Sequence, residues 1–88
     1  MRSASKEFNE GVELLQAGDF KAAFEMFMRG AENGSQECVA QIVLCYQNGI
    51  GVEKSKQKCE EWQWRLKMLA QGYSGWLTDE YDPVNVGE

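Results

Sequence analysis

Eighty-eight residues make one small domain that buries only a modest share of its surface, so every apolar face has to be used. A hydrophobic content of 43%, with three Trp, three Tyr and four Phe, excludes a disordered chain. The formal charge is -5, from nine basic and fourteen acidic residues, and Lys54, Lys56 and Lys58 lie between Glu53 on one side and Glu60 and Glu61 on the other. No basic stripe forms that would neutralise phosphates, which speaks against nucleic acid and against an anionic membrane surface as partners.

No stretch is long and apolar enough to span a bilayer, and residues 1–7 lack the apolar core of a signal peptide, so the expectation is a cytoplasmic chain. Cys38, Cys45 and Cys59 are odd in number and have no CxxC spacing. They read as small core residues rather than as a disulfide framework or a metal site.

Phe8, Gly11, Val12 and Leu15 fall at i, i+3, i+4 and i+7, the stripe of an amphipathic helix. Ser3 or Ser5 can cap its start and Gly18 can end it. Asp19 offers the next cap, and Phe20, Ala23, Phe24, Phe27 and Ala31 carry the same spacing as far as Asn33-Gly34. The short turn between them predicts an antiparallel hairpin.

A third helix opens at Ser35, with Glu37 placed where negative charge meets the positive end of the helix dipole. Its stripe is Cys38, Val39, Ile42, Val43 and Tyr46, and Asn48-Gly49 ends it. In the loop Gly49-Ile50-Gly51-Val52, two glycines permit backbone angles closed to other residues, and Val52 can fold back on the helices. A lone GxG without a preceding strand is no phosphate loop. Ser55 caps a fourth helix whose stripe is Cys59, Trp62, Leu66 and Leu69, ending near Gln71-Gly72.

Two hairpins in succession, about 5–34 and 35–72, invite comparison as internal repeats. Leu15-Gln16-Ala17-Gly18 aligns with Tyr46-Gln47-Asn48-Gly49, and the second unit is longer in its hairpin loop. Cys38, Ile42, Tyr46, Gly49, Gly51, Val52, Cys59 and Trp62 follow, in order and spacing, a pattern of Ala, Leu, Tyr, Gly, Gly, Val, Ala and Trp. That stretch resembles a Sel1-like repeat, a relative of the tetratricopeptide repeat. The first unit, through Gly18-Asp19-Phe20-Lys21-Ala22-Ala23, is more similar to a tetratricopeptide repeat. The resemblance covers residues 8–72. The chain departs from it at Val43, where the family favours glycine, and at Arg65, Leu66 and Lys67, where paired alanines usually end the second helix.

The resemblance implies an all-α fold over residues 1–72, two antiparallel helical hairpins stacked as a short α-solenoid, followed by an aromatic and acidic tail, residues 73–88. It also implies a protein or peptide partner met on a concave side lined by the first and third helices. Glu10, Glu13, Gln41, Leu44, Gln47 and Asn48 lie there, off the apolar stripes, and equally suit a plain solvated surface. A basic and apolar partner matches the acidic balance of the chain.

Two repeats are fewer than a solenoid usually needs to bury its ends. Trp64 and Met68, four apart and on the side away from Trp62, give the last helix a second apolar face. The tail, with Tyr73, Trp76 and Tyr81, can cap that face at a gain of roughly 1.5 to 3 kcal/mol for each large side chain buried. The same tail also suits a short motif docking elsewhere, and the uncovered face suits self-association.

Catalysis finds no support in the residue types. There is no His to act as general base, triad member or zinc ligand. Glu60-Glu61 read as a solvated edge, and Asp79, Glu80 and Asp82 lack calcium-loop spacing. No cofactor is implied. The leading expectation is a non-catalytic adaptor or scaffold module; the alternatives are a regulatory or substrate-docking domain of a larger enzyme and an acidic inhibitor of a basic-site enzyme.

Overall fold

The computed structural model describes residues 6–72, and they form four helices with no strand among them: α1 (Lys6–Gln16), α2 (Phe20–Glu32), α3 (Gln36–Asn48) and α4 (Lys56–Ala70). The expected caps at Ser3 or Ser5 and the whole of the tail, residues 73–88, lie outside the described residues. No helix among them is long and apolar enough to cross a membrane.

Capping residues set the helix starts, as the local chemistry requires. The Asp19 carboxylate accepts from the Ala22 N–H at 3.4 Å, the Ser35 hydroxyl from Cys38 N–H at 3.3 Å and the Ser55 hydroxyl from Lys58 N–H at 3.1 Å. Each bond satisfies a donor that a helix start leaves orphaned, and each is worth about 1 kcal/mol.

Packing follows chain order. α1 packs on α2, α2 on α3 and α3 on α4, with a lighter contact of α1 on α3, while α4 approaches neither α1 nor α2. Glycine lets the helices come close. A methyl group at Gly11 would run into the Phe27 ring, and one at Gly30 would run into Cys38 Sγ. Phe8 lies against Phe27 with ring centroids 6.2 Å apart, and Phe24 meets Tyr46 edge-on at 5.6 Å. The core runs from Ala23, Phe27 and Ala31 of α2 through Cys38, Val39, Ile42, Val43 and Cys45 of α3 to Cys59 and Trp62 of α4.

The loop between α3 and α4 is built on its two glycines. Gly49 caps α3 in the left-handed region at φ 71°, its N–H donating to Cys45 O at 2.8 Å. Gly51, at φ 73°, lays its backbone against α2, so that a Cβ there would stand 2.9 Å from the Phe20 carbonyl carbon and from Phe24 Cβ. Ile50 and Val52 pack on the core. The chain then returns to α3, where Ser55 N–H donates to Tyr46 O at 3.0 Å.

Three readings of the sequence change here. Phe20 was expected in the apolar stripe of α2 and is 51% exposed, because it is the first helical residue and the loop packs on its backbone rather than on its ring. Leu14, outside the expected stripe of α1, packs partly against the core. Glu61 was expected on a solvated edge. It is instead half-buried and held at 2.9 Å by Arg65, which is only 8% exposed.

Candidate functional site

The surface offers a groove of about 350 Å³ on the second hairpin, where the last turn of α3, the loop and the first turns of α4 meet. Tyr46 and Gln47 come from α3 and Lys54 from the loop. Lys56, Cys59, Glu60 and Gln63, at i, i+3, i+4 and i+7, come from one side of α4. The groove lies where the loop, after passing against α2 at Gly51, rejoins α3 through the Ser55 N–H to Tyr46 O bond.

The groove carries one thiol, one phenol, two amides and three charged side chains. Its thiol, Cys59, is largely buried and accepts a weak hydrogen bond from Gln63 Nε2 at 3.8 Å. Two lysines and one glutamate stand at its polar positions, with the amides of Gln47 and Gln63 and the hydroxyl of Tyr46 between them. Amides supply a donor and an acceptor each, the pair that a peptide backbone requires. Burial raises the Tyr46 phenol above its ordinary value, helped by the nearby Glu61 and Cys45 and opposed by Arg65.

Behind the groove lies a charged cluster that the sequence reading missed. Glu61 and Arg65, four residues apart, form an ion pair shielded from water, and the Arg65 guanidinium stands 4.8 Å from the centre of the Trp62 ring. The indole is thereby held flat against a cation, an arrangement worth about 1 to 2 kcal/mol when desolvated. The pattern that would have found it is the Trp62–Arg65 and Glu61–Arg65 spacing, three and four residues, on a helix whose apolar stripe is otherwise thin.

The remaining cysteines take no part in the groove. Cys38 and Cys45 are buried in the core, and burial pushes the Cys45 thiol from 9.0 up to about 11. No cluster of three or more His, Cys, Asp or Glu able to hold a metal occurs among the described residues.

The residues expected to meet a partner fall into three places. Gln41, Leu44, Gln47 and Asn48 follow one another round the outer side of α3, where Leu44 is 42% exposed; Gln47 also opens into the groove. On α1, Glu13 is exposed and half-buried Glu10 stands 3.9 Å from Lys6 Nζ. Trp64 and Met68 are both half-buried on α4, and Met68 packs partly against the core. Since α4 touches neither α1 nor α2, the structure separates Trp64 and Met68 from Glu10 and Glu13.

Comparisons of the chain with models of protein families, with curated proteins and with solved structures find no match.

Proposed function

We propose that this chain is a non-catalytic protein-interaction module of Sel1-like, tetratricopeptide-related type, an adaptor that holds a partner segment against the outer sides of α1 and α3. The observation that carries the reading is the serial packing of the helices, in which each rests on its neighbours in sequence and α4 stays clear of α1 and α2. Helices stacked in this order keep one side of α1 and α3 out of the core, whereas a closed four-helix bundle would consume it. The loop glycines support the same reading, since Gly49 and Gly51 both take the left-handed angles on which the resemblance of residues 38–62 depends.

The contact would centre on Leu44, an exposed large apolar side chain ringed by Gln41, Gln47 and Asn48. Large exposed apolar groups within a polar rim are the usual anchors of such interfaces. Glu10 and Glu13 would favour basic residues at the partner's far end.

The test uses the full chain as bait beside a Leu44→Asp, Gln47→Ala variant, with helicity and melting measured on both. A partner held by the parent chain and lost by an equally folded variant supports the reading. Retention of the same partners by that variant overturns it.

A further inference from the structure

The charges of this chain are divided unevenly along it. Four of its fourteen acidic residues and none of its nine basic ones lie in residues 73–88, which leaves the rest of the chain within one charge of neutral. Asp79, Glu80 and Asp82 are concentrated within four positions. The groove between α3 and α4 is the reverse: Lys54 and Lys56 line it, exposed Lys58 follows, and the first turn of α4 holds no acidic residue to offset the positive end of the helix dipole. By contrast, Glu7 and Glu37 occupy the first turns of α1 and α3.

We propose that this groove is a binding site for an extended acidic peptide segment, and that residues 79–82 of the same chain occupy it. Length supports the pairing. From Lys56 to Gly72 the helix axis covers about 24 Å. Seven extended residues, from Gly72 to Asp79, cover about 23 Å. A tail laid back along α4 therefore brings Asp79 and Glu80 to Lys56 and Lys54. On the way Trp76, about 13 Å along the tail, arrives level with Trp64, about 12 Å back along the helix.

Chemistry divides the work within the groove. Lys54 and Lys56 pair with the carboxylates, and the amides of Gln47 and Gln63 meet the N–H and C=O of the extended backbone. The Tyr46 ring and the exposed edge of Cys59 supply an apolar floor between them. Glu60, the one acid of the lining, disfavours a second acidic residue beyond the lysines and so fixes how far the segment slides. Tethering supplies an effective concentration in the millimolar range, so a site of weak intrinsic affinity is filled within one molecule. This assignment shares only Gln47 with the α1 and α3 surface.

Carbodiimide coupling, which joins a lysine amine directly to an adjacent carboxylate, tests it on the full chain. The expected products are monomeric and join Lys54 or Lys56 to Asp79, Glu80 or Asp82. Their yield should fall several-fold in about 0.5 M salt, where the screening length is about 4 Å. Links spread evenly over Lys6, Lys21 and Lys67, or links found only in dimers, overturn the proposal. A second measurement needs no coupling. Changing Asp79→Asn, Glu80→Gln and Asp82→Asn together should shift the side-chain amide signals of Gln47 and Gln63 and leave that of Gln16 in place. Unmoved Gln47 and Gln63 signals overturn it equally.

Discussion

In the first hairpin, α1 and α2 are joined by three residues and meet through glycine: Gly11 gives room to the Phe27 ring, and Gly30 gives room to Cys38 of the next helix. In the second hairpin, α3 and α4 are joined by seven residues, the glycines have moved into the loop, and an ion pair stands behind the indole at the helix interface. The close approach at Gly11 is between helices, whereas the ion pair and the cation–π contact of the second hairpin both lie within α4. The second hairpin carries the groove.

The largest expected effect comes from the loop. Gly51→Val adds a side chain at a positive φ and drives it into the backbone of Phe20, which has no rotamer by which to retreat. Strain and overlap together should cost about 3 kcal/mol or more by thermal or urea unfolding. Gly30→Ala probes the contact between the hairpins, where the added methyl of α2 meets the fully buried Cys38 side chain of α3, at about 1 to 3 kcal/mol. If Gly51→Val unfolds the chain no more readily than Gly30→Ala does, the loop is not the fixed point that distinguishes the hairpins.

A smaller effect should separate the polar bracing from ordinary packing. Arg65→Met removes the partner of Glu61, which has only 16% of its side chain exposed, and should cost about 2 to 3 kcal/mol once partial solvent screening is allowed for. Adding Glu61→Leu to the same chain should recover much of that loss, since a matched apolar pair leaves no buried charge behind. The readout is a double-mutant cycle on unfolding free energy. Additive losses would show that the two charges do not act as a pair.

The same contrast explains what the sequence revealed. Helix boundaries were legible because Asp19, Ser35 and Ser55 cap, and Gly18, Gly34 and Gly49 terminate, by local chemistry that needs no tertiary information. Trp62, Cys59 and the stripe of α3 were legible from helical period. Arg65 was not, because periodicity counts a guanidinium as polar and is blind to a partner four residues back and a ring three residues back. The groove was hidden for a different reason: only Gln47 of its lining stood among the expected contact residues, and its other walls depend on where the loop travels. Gly51 shows the loop bending, but not that it bends toward α2.

The smallest effect is invisible at neutral pH and appears only in base. Cys45, buried within α3 between the two hairpins, has its thiol raised from 9.0 to about 11, so the folded chain keeps a proton that the unfolded chain gives up. Across that interval the folded state binds more protons than the unfolded one, and unfolding free energy must fall as pH rises. Stability should therefore be flat up to about pH 9 and decline toward pH 11, where the thiol ionises in the folded state as well. Tyr46, raised in the same direction, adds to the slope at its upper end. Cys45→Ala should remove the earlier part of the decline and Tyr46→Phe the later part, measured as melting temperature against pH. A decline that survives both substitutions would place the alkaline weakness outside the α3 core.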